Sequence, residues 1–179
     1  MYLWSSRCKL VTSYIIEKTN EYNENIVLRD RITIPVMRVN LLLYFIQIEY
    51  IKRTGRFMFV DKFYAWTSGP VIPAVYEYFT NTGQVNNIKM TDFIVDYSAL
   101  SKVMRETIDN VLEQTYNMDA LDLAMLSRVK DGPWYKKYDS SDVGHKQVIA
   151  KKMMIHYYGD KEIFDGINCK KRVLKNRKN

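Results

Sequence analysis

Residues 36–54 (VMRVNLLLYFIQIEYIKRT) constrain the fold more than any other segment, because their apolar side chains would point in nearly every direction around a helix. Pro35 can serve as the first residue of that helix, and Gly55 follows it where helices commonly end. A helix that is apolar on all sides has to be covered on all sides. The segment therefore predicts a central helix with the rest of the chain packed around it.

Five further helices are predicted from apolar spacing of three and four residues and from capping signals. They cover residues 6–18, 74–81, 98–116, 120–130 and 146–157. Ser5, Ser98 and Asp119 are the expected caps, Pro73 is the expected first residue of the third helix, and residues 19–30 read as a polar loop. The aromatic-rich residues 57–60 and 62–66 predict a short β-hairpin or paired extended segments. The expected fold class is mainly α: a compact single-domain bundle of about six helices with a small β-hairpin element.

The chain carries no signal for a membrane or for export. Four polar residues interrupt the apolar run of the central helix: Arg38, Asn40, Gln47 and Glu49. No stretch of about 20 apolar residues occurs, which excludes a membrane-spanning helix, and the first ten residues lack the pattern of a secretion signal. Cys8 and Cys169 lie near opposite ends without CxxC spacing, which is typical of a reducing compartment. We therefore expect a cytoplasmic protein.

The basic charge is concentrated at the C-terminus. Six positive residues and no acidic ones stand in the last ten: Lys170, Lys171, Arg172, Lys175, Arg177 and Lys178. Without them, 21 basic residues face 20 acidic ones, so the net charge of +7 belongs almost entirely to this end. The expected organisation is one domain over residues 1–159 and a basic, flexible tail over 160–179. Such a tail is a candidate for nucleic-acid contact, with a log–log salt slope of about −5 on duplex DNA.

Catalytic and metal-binding motifs are missing from the sequence. P-loop, GxGxxG and HExxH patterns are absent, and two histidines with two distant cysteines make a zinc site improbable. His145 follows Ser141 and Asp142 but is expected at the surface, and His156 is expected on a helix face. The sequence therefore predicts a protein that is not an enzyme and needs no cofactor or metal.

Trp66 and Trp134 each adjoin a Gly-Pro turn, in AWTSGPVIP and KDGPWYKKY. A rigid turn can pin a large side chain into the core, or it can present an aromatic surface to a partner, since Trp, Tyr and Arg dominate binding hot spots. Both interpretations stay open for each residue.

Several of these strings resemble one protein family. Residues 38–44 (RVNLLLY) resemble the KLQKLLY helix of the Panacea family, the SocA-like antitoxins, which also includes phage-associated proteins. Residues 63–76 are similar to its AWxxGPVxPxVY string, residues 126–134 resemble a helix end followed by its PW pair, and residues 155–158 its closing aromatic segment. The chain departs from the family pattern at Leu41, where the helix motif has Lys, and in the stretch before the PW pair, where a His is common.

The resemblance implies an antitoxin-type, non-enzymatic role, in which the protein neutralises a partner toxin by direct binding or delivers it to a cytoplasmic protease. It marks nine residues as partner-binding or fold-defining: Arg38, Tyr44, Trp66, Gly69, Pro70, Pro73, Tyr76, Pro133 and Trp134. The signature residues among them, from Trp66 to Tyr76, are expected to form one ridge.

Two other functions remain open at this point. A phage-borne copy of this fold could act in the host cytoplasm against a defence nuclease such as a CRISPR effector, in the manner of an anti-CRISPR protein. The basic tail could alternatively bind nucleic acid.

Overall fold

The computed structural model describes residues 3–89, 96–142, 144 and 146–164. This part of the chain contains six α-helices and a small antiparallel sheet, which confirms the predicted fold class. The helices are α1 (Ser6–Glu24), α2 (Val36–Thr54), α3 (Pro73–Asn81), α4 (Lys102–Thr115), α5 (Ala120–Ser127) and α6 (Lys151–Tyr158). Two short 3-10 turns, Leu28–Asp30 and Tyr97–Ala99, lie between them. None of the helices described combines the length and hydrophobicity needed to cross a bilayer.

Helix α2 is the centre of the fold, as its sequence predicts. It contacts each of the other five helices, and its residues from Val36 to Ile48 are almost all buried. The helix ends at Gly55, which takes the left-handed conformation (φ +68°) and donates its N–H to the Ile51 carbonyl at 2.8 Å. Glycine adopts this conformation without the steric cost that a Cβ brings, so the predicted stop has a clear physical basis.

The buried polar residues of α2 hold neighbouring segments by their backbones. The Arg38 guanidinium donates to the carbonyl of Thr115 at 2.9 Å and to that of Met118, at the end of α4. Burial lowers the pKa of Arg38 to about 10, which still leaves the group charged at neutral pH. A charge-assisted donor therefore satisfies carbonyls that the end of α4 leaves without helical partners.

Asn40 and Gln47 play the same role elsewhere on α2. Asn40 accepts the Ile72 N–H at 2.8 Å, just before α3. Gln47 accepts the Met58 N–H at 3.0 Å and donates to the Phe59 carbonyl at 3.0 Å. Since all these groups are buried, each bond replaces water that the core excludes.

The sheet differs from the predicted hairpin. Its strands are β1 (Phe63–Trp66), β2 (Gly69–Val71) and β3 (Val148–Ile149), in the order β2-β1-β3. Strand β1 is as predicted, but the pairing of residues 57–60 with 62–66 was wrong: the backbone of Met58 and Phe59 is taken by Gln47. Strand β1 pairs instead with β2, which follows it after a two-residue turn, and with β3, more than 80 positions further along the chain.

Several helix ends also differ from prediction. Helix α1 continues six residues past the predicted end at 18, because Asn23 bonds both the N–H and the carbonyl of Ile32 at 2.8 Å. Ser101 rather than Ser98 caps α4. Helix α5 ends at 127 instead of 130, and α6 begins at 151 because the preceding residues form β3. The predicted starts at Ser5, Pro73 and Asp119 are confirmed.

The chain stays packed for a few residues beyond α6. Ile163 is 8% exposed, and the Phe164 ring lies 5.5 Å from that of Phe45. The Lys52 ammonium donates to the Lys161 carbonyl at 2.7 Å. We therefore propose that the domain extends at least to Phe164, past the predicted boundary at 159. The basic residues from 170 to 178, together with Cys169 and His145, lie outside the described residues.

Candidate functional site

The β1–β2 turn carries the centre of the sequence signature. Thr67 and Ser68 form the exposed turn, with Trp66 opposite Gly69 in the antiparallel register. Gly69 has φ +128°, and a Cβ there would lie 3.0 Å from both Leu41 Cδ2 and Ser127 Oγ. A glycine thus lets β2 approach α2 and α5 closely.

Trp134 joins the two Gly-Pro strings of the sequence. Its indole Nε1 donates to the Trp66 carbonyl at 2.8 Å, across 68 positions of sequence. The ring is 7% exposed and stacks on Tyr138 at 4.6 Å, and Pro133 is buried beside it. The PW pair therefore supports the turn from behind, which favours the core interpretation for Trp134.

The Trp66 side chain is half-buried at the edge of the turn, so it fits both the core interpretation and the partner-binding interpretation in part. Its ring meets the half-buried Tyr76 ring edge-on, with centroids 5.2 Å apart. The guanidinium of Arg128 donates to the Thr67 carbonyl at 3.3 Å and lies 5.8 Å from the Trp134 ring. We define the signature surface as Trp66, Thr67, Ser68, Tyr76 and Arg128.

The remaining signature residues lie inside the protein. Pro70 and Pro73 are buried, and Pro73 begins α3 and so places Tyr76 one turn later. Tyr44 is 0% exposed, with its ring 5.3 Å from Phe63, and burial raises its pKa well above the usual value. Of the nine expected residues, then, only Trp66 and Tyr76 are partly open to solvent, while Arg38 and Tyr44 are buried in the core.

Sequence reasoning missed Arg128 and the two clamps Asn40 and Gln47. Arg128 stands within the string 126–134, but its place beside Thr67 depends on a contact across 61 positions. Asn40 and Gln47 were noted only as breaks in an apolar run. Buried polar groups need hydrogen-bond partners, so their position on a helix buried all round was the signal that could have identified them.

In the described part of the chain, the reactive side chains Cys8 and His156 belong to no metal-binding cluster. No three His, Cys, Asp or Glu side chains there lie close enough together to hold a metal ion. The Cys8 thiol is fully buried, and desolvation raises its pKa well above the usual value, with Asp61 adding to the shift. Ser141 donates to Asp139 at 2.6 Å, and His156 is exposed on α6.

The amino-acid sequence was compared with models of known protein families, with curated proteins and with solved structures. A family model described as antitoxin SocA-like, Panacea domain, matches residues 40–135, which is more than half of the chain. The matched region runs from the second turn of α2 through the signature surface to the PW pair. Searches of curated proteins and of solved structures gave no match. The chain belongs to the SocA-like antitoxin, Panacea domain family.

Proposed function

We propose that this chain is a non-enzymatic, cytoplasmic antitoxin-type protein that neutralises a partner toxin by binding it directly through the signature surface. The observation that supports the proposal is the composition of that surface. Trp66, Tyr76 and Arg128 are partly exposed around one turn, and Trp, Tyr and Arg are the residue types that contribute most to binding hot spots.

The surface is also held rigidly, which lowers the entropy lost on binding. The Trp134 indole holds the Trp66 carbonyl by a hydrogen bond, and the Arg128 guanidinium holds the Thr67 carbonyl by another. Gly69 sits against α2 and α5 without room for a Cβ. A partner therefore meets a preformed surface instead of one that has to be ordered at the moment of contact.

The exposed turn supplies the polar part of such an interface. Thr67 and Ser68 are open to solvent between the aromatic pair and the Arg128 guanidinium. Interfaces commonly combine a few anchoring side chains with a polar rim. Delivery of the bound toxin to a protease is compatible with this arrangement, because it requires the same first binding step.

The test is growth rescue by co-expression with a candidate partner toxin, in a host that lacks the candidate protease. Ser68→Arg adds bulk to an exposed turn position without touching the core, so we expect a folded protein that no longer rescues growth. Trp66→Ala is expected to lose rescue as well. Phe57→Ala, an aromatic truncation at a 48% exposed position outside the signature surface, is the matched control and should rescue normally.

Circular dichroism and thermal unfolding show which variants are folded. Loss of rescue in folded Ser68→Arg, with rescue kept in Phe57→Ala, supports the proposal. Full rescue by both Ser68→Arg and folded Trp66→Ala would overturn it, since the toxin would then bind elsewhere or not at all.

A further inference from the structure

A second concave surface lies between residues 131–136 and the outer face of α6. It encloses a cavity of about 400 Å³, within the size range of binding pockets. Its apolar lining comes from Pro133, Met153 and Tyr157. We call this cavity and its rim the α6 groove.

The groove is preformed. Asp131 has a positive φ of 64°, unusual for a residue with a Cβ. A Cβ on Gly132 would lie 2.9 Å from the Val129 carbonyl oxygen and 3.7 Å from the Tyr157 ring. The turn is thus packed closely on α6, and the anchored Trp134 follows directly. A wall held in this way offers a fixed shape to a ligand.

The rim of the α6 groove is positively charged. Lys136 and Lys152 line it, both are exposed, and neither forms an ion pair with a described residue. The Lys161 ammonium lies 3.4 Å from the centre of the Tyr157 ring. Among the described residues, Asp131 is the single acidic side chain in the lining. Local excess of positive charge on a nearly neutral body favours an acidic ligand.

We propose that the α6 groove binds an acidic peptide segment of the partner toxin, with one aromatic or branched apolar side chain on the floor and carboxylates at the two rim lysines. This inference rests on the proposed function, because it assigns a second contact to the same partner. The two surfaces are continuous along the chain: residues 128–136 run from Arg128 on the signature surface to Lys136 on the groove rim.

The apolar floor favours a peptide over nucleic acid. A phosphate backbone would engage the lysines but would leave Pro133, Met153 and Tyr157 without an apolar partner. A peptide supplies both chemistries within a few residues, as pockets with an apolar lining and a few polar groups require.

The direct test uses a fluorescein-labelled peptide with one phenylalanine between two pairs of glutamates, and the same peptide with glutamines. Fluorescence anisotropy with the full chain at low salt should show the glutamate peptide binding at least about tenfold more tightly, with the difference shrinking as salt rises. Lys136→Glu with Lys152→Glu should remove this preference. Lys89→Glu with Lys102→Glu changes the net charge equally at exposed positions outside the groove and should keep it.

Equal affinity for the two peptides would overturn the inference, and so would an unchanged preference in the Lys136→Glu and Lys152→Glu protein. A short DNA duplex that displaces the peptide from the wild type, and that no longer binds this variant, would assign the groove to nucleic acid and overturn it too.

The growth-rescue assay separates this inference from the proposed function. If the wild type rescues growth and the folded Lys136→Glu and Lys152→Glu protein also rescues fully, the groove is not a toxin contact although the proposed function stands. If the wild type fails to rescue, the proposed function fails, and with it the assignment of the acidic segment to a toxin. Peptide binding lost only in the groove variant would still establish the groove as a site for acidic peptides.

Discussion

Replacement of Gly69 by alanine tests how tightly the signature turn is built into the core. The backbone there has φ +128°, a conformation that costs a residue with a Cβ about 1–3 kcal/mol. The new methyl group would also lie 3.0 Å from Leu41 Cδ2 and Ser127 Oγ, both in buried side chains. Overpacking of this kind costs about 1–3 kcal/mol. The two effects together predict a loss of about 2–6 kcal/mol in the free energy of unfolding.

Gly55→Ala is the matched control, because Gly55 also has a positive φ (68°) but nothing within 4 Å of its Cβ position. It should lose only the backbone cost of about 1–2 kcal/mol. Urea unfolding followed by tryptophan fluorescence measures both losses. In addition, Ser127→Ala should lessen the penalty of Gly69→Ala in a double-mutant cycle, since it removes one of the two crowding atoms. Equal losses for Gly69→Ala and Gly55→Ala would refute the reasoning.

Three other results are expected. Gln47→Leu leaves two buried backbone N–H groups without their acceptor and should cost about 2–4 kcal/mol, measured by urea unfolding. Truncation after Gly159 removes two packed apolar side chains, Ile163 and Phe164. We expect it to lower the free energy of unfolding by about 3 kcal/mol and Tm by about 6–12 °C. Truncation after Phe164 should leave the thermal transition nearly unchanged. In a Cys169→Ser background, Cys8 should resist a thiol reagent at pH 8 until urea unfolds the chain. The reason is that burial raises the pKa of Cys8 and so disfavours the reactive thiolate. Rapid labelling of the native protein would contradict this prediction.

The central helix could be predicted because its information is local. An apolar pattern all round the helix, with Pro35 before it and Gly55 after it, gave the position of α2 and its burial. The helix starts at Ser5 and Asp119 were predictable for the same reason, since a capping side chain bonds backbone groups only two or three residues away.

The sheet and the end of α1 depended on distant partners. Strand β1 pairs with β3, more than 80 positions further along the chain, and nothing within residues 57–66 indicates this. The last turns of α1 look like a polar loop, but Asn23 ties them to Ile32 and Tyr22 stacks on Tyr116 at 3.9 Å. Tertiary contacts therefore overrode the local propensity.

Of the signature surface, Trp66 and Tyr76 could be singled out from the sequence, but the exposure of each signature residue could not be predicted. Trp66 and Trp134 stand in similar Gly-Pro contexts, yet Trp134 is buried under the turn and Trp66 is half-buried at its edge. The Trp134 indole donates to the Trp66 carbonyl, a contact across 68 positions that no local pattern encodes. Arg128 donates to the Thr67 carbonyl through a contact across 61 positions, which is equally invisible to local patterns.

The most direct test of the proposed function is the stoichiometry of the purified protein mixed with a candidate partner toxin, measured by native mass spectrometry. We expect a one-to-one complex with the wild type and with Phe57→Ala, and none with folded Ser68→Arg. A wild-type chain that rescues growth from the toxin but forms no complex with it would contradict direct binding.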